Sequence, residues 1–290
     1  AVSWLRLPIV RARLAPSVDA RYATSDASST RTLISELRSA RASGESIMAW
    51  IHYYAPHDPY RSHPSRPFGK GRKNAYLSEV AYFDAQLAAL LRYLESSGAL
   101  DDTLVVFFSD HGEALGEDGY FGHHVYLDGW MVDVPLVLWH AALRPSRPTV
   151  DVSVADVAPT VLHFLGIPQP SGLASQSLFT LPPNAAGRAT FSEAFPVRGR
   201  ELFDTLRLPS LDDATLRRRL RSIRIASKGY EPKGAVTRDG ERLIHHRSAD
   251  RTRVEPASAD EAALRSELER WEREQLRRIQ CRLRVKAPTN

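Results

Sequence analysis

The run Thr103-Leu-Val-Val-Phe-Phe-Ser109 breaks directly on Asp110-His111-Gly112-Glu113. An uninterrupted apolar run of this kind has the character of a strand covered on both faces, as in a parallel sheet. Side chains of a strand alternate between faces until the strand ends. At Gly112 that alternation relaxes, so Asp110 and His111 can face one crevice. In open α/β sheets ligands collect beyond the carboxyl ends of the strands. A carboxylate oxygen beside an imidazole nitrogen is half a shell for a divalent cation. Gly116, Gly119 and Gly122 then allow a tight loop to return His123 or His124 to the same place.

The flanking pattern alternates helix and strand. Residues 32–41 carry Leu33, Ile34 and Leu37 at helical spacing, closed by Gly44. Residues 46–54 (SIMAWIHYY) are β-branched and aromatic and read as a buried strand. Four prolines make residues 55–69 (APHDPYRSHPSRPFG) a loop. A long helix is expected over 74–98, with Leu77, Val80, Ala81, Asp84, Leu87, Leu91 and Leu94 near one stripe and Asp84 in a buried hydrogen bond. Residues 134–140 read as a second apolar strand, 154–168 as a helix, and 188–194, 222–230 and 241–248 as short strands. Residues 257–280 form a charged terminal helix. Asp151 and Asp156 suit turn and capping positions. The order predicts an α/β, three-layer αβα sandwich with a mostly parallel sheet. Residues 1–45 read as an incomplete or connecting segment, 46–200 as the α/β core, and 201–290 as short strands plus the charged helix.

A single cysteine, Cys281, excludes an internal disulfide framework and a cysteine-rich zinc site. No stretch of 18 apolar residues is present, so this sequence holds no membrane span. The net charge is +5, carried by 34 Arg against 5 Lys. The Arg are dispersed, apart from runs at 217–221 and 273–284, which suits a mild preference for anionic partners and not a nucleic-acid stripe. The chain begins Ala-Val-Ser-Trp, without Met or a signal-peptide pattern, and reads as a piece of something longer.

Several of these stretches, in this order, resemble the sulfatase and phosphoesterase branch of the alkaline phosphatase superfamily: HYYAPHDPY (52–60), the helix-to-strand segment ending in SDHGE (109–113), GYFGHH (119–124) followed by VPLVL, and the 151–172 segment. The resemblance covers roughly residues 46–195 and implies an alkaline phosphatase-like fold truncated at its N-terminus. It also implies metal-dependent sulfate-ester hydrolysis. Asp110 and His111 match the family's metal-binding pair. His57 matches the His that contacts the sulfate or phosphate oxygens, and His123 a second anion-binding His, with both in catalytic roles. His124 stands where a Gly is common, and His52, at a strand end, is a supporting substrate-side residue. Glu113 and Glu117 are expected to stabilise the loop or back up the ligands. Calcium is the first expectation for the cation, with zinc or manganese as the alternative.

One part of the family pattern is missing. The resemblance implies a nucleophile upstream of the His loop, as formylglycine from a Cys/Ser-x-Pro-x-Arg motif or as a plain Ser or Thr. Nothing in residues 1–45 has that form. Ser62 in SHPSR fits the motif but follows His57, the wrong order, and is taken as coincidence. This chain is therefore expected to be the C-terminal part of a longer enzyme, inactive alone. The alternatives are a phosphoester hydrolase or phospho-group transferase of the same superfamily, and an inactive binding or scaffold protein. The resemblance implies a periplasmic, extracellular or membrane-anchored setting, with any anchor upstream.

Overall fold

Helix α1 (Tyr22–Ser43) and helix α2 (Arg72–Ser96) are the longest elements of the first half. The computed structural model describes residues 22–117, 121–123, 126–147, 149–170, 173, 175–182, 187–194, 233–246 and 251–285. By contact density the chain divides into two units, Ala1–Val105 with Trp139–Leu143, and Val106–Leu138 with Arg144–Asn290.

In the first unit, Leu33, Ile34 and Leu37 of α1 pack on Leu90, Leu91 and Leu94 of α2, with Ala99, Leu100 and Val105 closing the cluster. Helix α1 extends ten residues upstream of its apolar-periodic part, through a Ser- and Thr-rich turn that periodicity alone does not register. The buried residues of α2 are Ser78, Glu79, Leu90 and Leu94. Asp84, placed on the apolar stripe by sequence, is exposed. The N-terminal half of α2 faces the proline-rich loop, so polar side chains occupy its inner face there. Residues 46–54, expected as a buried strand, have no regular strand structure and pair with no strand among the described residues. Alternation persists in them, but Met48 and Trp50 are 54% and 69% exposed.

The second unit contains β1 (Val105–Phe108), β2 (Ala114–Leu115), β3 (Phe121–Gly122), α3 (Gly129–Val132), β4 (Leu136–Trp139) and α4 (Val157–Phe164). It continues with β5 (Ala189–Ala194), β6 (Lys233–Arg238), β7 (Glu241–His246), β8 (Arg251–Glu255) and α5 (Glu261–Val285). Strands β1 and β4, which straddle the boundary at one end, are neighbours in a two-stranded sheet, and β2 and β3 form a short antiparallel pair. Both apolar strands are only partly covered. The expected strand at 222–230 lies outside the described residues.

Strands β5 to β8 form an antiparallel meander. Its central hairpin turns on Asp239-Gly240, both at positive φ (52° and 78°), the backbone that a two-residue hairpin of the right twist requires. Cross-strand pairs then sort the core by face. Val236 opposite Leu243 packs with Leu264 and Leu268 of α5, and Phe191 stacks on Trp271 at 4.8 Å. Ala235 opposite Ile244 lies on the other face, with Leu127, Ala194 and Val132. On that face Arg242 pairs with Asp133, and Arg253 pairs with Asp128. Two arginines thus grip the residues bounding α3. Asp156, fully buried, forms a capping box with Ser153 and takes Arg188 through both oxygens at 2.8 and 2.7 Å.

Leu243 and Leu264 are both 0% exposed. Replacing Leu243 with Ala is expected to lower stability by about 2–5 kcal/mol, since the methyl groups leave a cavity between sheet and helix. Urea unfolding followed by tryptophan fluorescence measures this, and an unchanged midpoint would contradict the packing described.

Candidate metal and anion-binding site

Beyond β1 the backbone turns sharply at Gly112. The Gly112 amide donates to the Met131 carbonyl at 2.7 Å, and a Cβ at Gly112 would overlap the Trp130 carbonyl oxygen. Only glycine lets the strand end lie this close to α3. The two residues before it are held by local bonds. Asp110 Oδ1 accepts the His111 amide at 3.0 Å, and the Ser109 hydroxyl donates to the His111 carbonyl at 2.7 Å. His111 Nδ1 lies 2.8 Å from the Gly112 carbonyl, which can only accept, so Nδ1 carries the proton. Its Nε2 lone pair is left beside Asp110 Oδ2, at 3.8 Å. Both side chains are open to solvent, 58% exposed for Asp110 and 41% for His111.

His123 joins them from the end of the β2–β3 pair. Its ring stacks on His111 with centroids 4.5 Å apart, and its Nδ1 meets Glu113 Oε2 at 2.7 Å. A carboxylate only accepts, so Nδ1 is the donor and Nε2 is the ring's other working atom. Glu113 is 7% exposed at its side chain, and its Oε1 is buried with no hydrogen-bond partner among the described residues. Glu117 accepts the Leu115 amide and braces the same loop. The structure therefore brings together Asp110, His111, Glu113 and His123, while His124 lies outside the described residues.

This cluster suits a divalent cation in three respects. Two ligand atoms of one cation lie about 3–4 Å apart when each bond is about 2.0–2.5 Å, which matches the Asp110–His111 spacing. The orientation of the His111 ring is set through its Nδ1 contact, which leaves Nε2 toward Asp110. A buried, unpartnered carboxylate oxygen three residues on adds negative charge. Among the described residues no group of three or more His, Cys, Asp or Glu has metal-holding geometry. Asp110 and His111 would thus supply two ligands and not a whole shell.

In the first unit, His57 is exposed at the tip of a turn closed by its own amide on the Tyr54 carbonyl at 2.9 Å, with Nδ1 2.5 Å from the Asp58 carbonyl. His52 stacks on Tyr54 with centroids 4.3 Å apart. Arg72 pairs with Asp58 at 2.9 Å and lies over the Tyr60 ring. Ser62 is exposed. Four supporting side chains escaped the sequence reading. The Asp26 carboxylate is fully buried and accepts the amides of Tyr54 and Ala55, both at 2.9 Å. Thr30 bonds Tyr53 at 3.0 Å. Glu79 accepts the Arg61 amide at 2.8 Å and meets His63 Nε2 at 2.7 Å, and Ser78 accepts the His63 amide at 2.7 Å. Burial pushes the Tyr53 phenol above its ordinary pKa; the Thr30 hydrogen bond opposes this and the Asp26 charge adds to it.

Gly112→Ala is expected to cost about 1–3 kcal/mol, because strand end and α3 must separate. Thermal unfolding checks the loss, and loss of the upfield contact shifts between the His111 and His123 rings in NMR spectra checks the displacement. A variant with wild-type melting and ring shifts would show that the contact is not constraining.

The sulfatase family model matches residues 7–167, more than half of the chain, and takes in α1, the Pro-His loop, α2 and the Asp110-His111 turn. The N-acetylglucosamine-6-O-sulfatase of Bacteroides thetaiotaomicron is 28% identical over 146 residues, 50% of this chain and 23% of that protein. The choline-sulfatase of Rhizobium meliloti is 34% identical over 95 residues, 33% of this chain and 18% of that protein. The matched stretch thus spans about a quarter or less of either relative. In fold, yidJ of Bacteroides fragilis aligns with a TM-score of 0.62 at 17% identity, over 86% of this chain and 58% of the other. The α/β, alkaline phosphatase-like fold expected from the sequence is thereby shared with solved relatives, and this chain belongs to the sulfatase family.

Proposed function

We propose that this chain supplies cation-binding and anion-binding residues of a metal-dependent hydrolase of sulfate esters. The observation that carries the reading is the Asp110-His111 turn, with the Nε2 lone pair of His111 3.8 Å from Asp110 Oδ2 and His123 stacked alongside, in a chain of the sulfatase family. A bound divalent cation, calcium in the first instance, would polarise the ester and stabilise negative charge on its oxygens. Asp110 and His111 would hold it. His123, and His57 in the first unit, are each read as donors to sulfate oxygens, a bond that each ring can give through Nε2 only when protonated, because its Nδ1 already faces an acceptor. A protonated imidazole can also deliver a proton to the leaving oxygen. The nucleophile belongs to the whole enzyme's pocket, and this chain, tested alone, is expected to show no turnover of nitrophenyl sulfate.

Calorimetric titration of this chain with calcium chloride tests the reading independently of turnover. Binding is expected in the wild type, with affinity reduced at least about tenfold in Asp110→Asn or His111→Ala, the loss of one charged or coordinating ligand. Equal calcium binding by wild type and both variants, or none by any of them, would remove the basis of the proposal. Zinc in place of calcium, bound through the same two residues, would favour a phosphoester-directed reading instead.

A further inference from the structure

The proline-rich loop that carries His57 is fastened at both ends by buried carboxylates from two different helices. At its start, both oxygens of Asp26 (α1) take the amides of Tyr54 and Ala55 at 2.9 Å. At its far side, Glu79 (α2) takes the Arg61 amide through Oε1 and the His63 ring through Oε2, and Ser78 takes the His63 amide. The Ser78 hydroxyl also donates to the Arg66 carbonyl at 2.8 Å. Asp26 and Ser78 are 0% exposed and Glu79 is 2% exposed. A buried carboxylate is costly unless its oxygens are satisfied, so a helix keeps one there only where the bonds repay desolvation.

We propose that Asp26 is a positioning residue for His57. Its carboxylate fixes the two backbone amides from which the loop departs. Two residues later the chain reaches His57, whose amide closes the turn on the Tyr54 carbonyl, the same residue whose amide Asp26 holds. The link is short: a carboxylate on α1, the Tyr54 peptide units, and the His57 backbone. Prolines at 56 and 59 stiffen the path on either side of His57. Glu79 anchors the opposite end of the loop and has no bond to the His57 turn, so it serves as the internal comparison. The inference rests on the reading of His57 as an anion contact, although the placement of the ring can be measured without it.

The test uses the full chain, labelled with nitrogen-15, carrying Asp26→Asn. Asparagine keeps one acceptor oxygen and the side-chain volume but turns an NH2 group toward an amide. Exchange protection of the Tyr54 and Ala55 amides is expected to fall about tenfold or more, the loss of one ordinary hydrogen bond. The His57 ring is expected to pass from a single Nδ1–H tautomer, set by the Asp58 carbonyl, to an averaged one, while the His63 ring signals stay as in the wild type. An unchanged His57 tautomer, or an equal fall in protection throughout α1 and α2, would overturn the proposal in favour of a purely structural Asp26. If Asp26→Asn does not fold, native-state exchange of the wild-type chain decides the point. The Tyr54, Ala55 and His57 amides must open as one unit, and separate openings overturn it. A parallel sulfate titration separates this from the functional reading: a wild-type His57 ring that ignores sulfate sinks the anion contact, while the tautomer comparison still judges Asp26.

Discussion

The contact on which the metal-side turn depends is the approach of Gly112 to α3, where one amide meets the Met131 carbonyl and no Cβ fits. Its geometry is not supplied by the turn alone. A helix of four residues has too few internal bonds to hold itself. Here Arg242 and Arg253, from neighbouring strands of the antiparallel meander, hold Asp133 and Asp128 at its two ends. The meander is backed by α5 through Leu264 and Leu268. The placement of Asp110 and His111 is therefore inherited, step by step, from a hydrophobic layer more than a hundred residues further along the chain. This gives the C-terminal strands a role in placing the turn that their own residues do not advertise.

The first unit solves the same problem by a different means. A loop with four prolines has few amides to donate and cannot be stiffened by a ladder of backbone bonds. Buried carboxylates replace the ladder, with Asp26 and Glu79 each accepting more than one donor. Such acceptors are selective as well as strong. A misplaced loop leaves a charge buried without partners, which costs more than a lost contact between apolar side chains. The arrangement favours one loop conformation over near alternatives, which is what a histidine needs if it is to meet an anion at a set distance.

These devices explain which parts were legible in the sequence. Val105–Phe108, the Leu-rich half of α2, the hairpin strand at Glu241–His246 and the terminal helix carry periodic or apolar signals, and the structure has elements there. Asp110 and His111, between a strand and Gly112, and His123, just after Gly122, stood out as candidates for the same reason of local pattern. Asp26, Ser78 and Glu79 could not, since a polar residue inside a helix normally signals a solvated face, and their partners lie 12 to 29 residues away. Arg242 and Arg253 were hidden among dispersed arginines that suggested only affinity for anions. Residues 46–54 show the opposite failure: strand composition is clear, but a strand exists only when a neighbour bonds its backbone.

The balance of charge around His111 argues for the cation from a second direction. Asp110 and Glu113 bring two carboxylates within four residues, and the Glu113 oxygen that does not hold His123 is buried without a donor. Burying an unpartnered carboxylate oxygen is unfavourable by itself, and the His111 and His123 rings stack beside it at 4.5 Å. The turn thus gathers carboxylate oxygens and imidazole nitrogens at close range. Under the proposed function, a divalent cation would offset the carboxylate charge and would let a sulfate group approach.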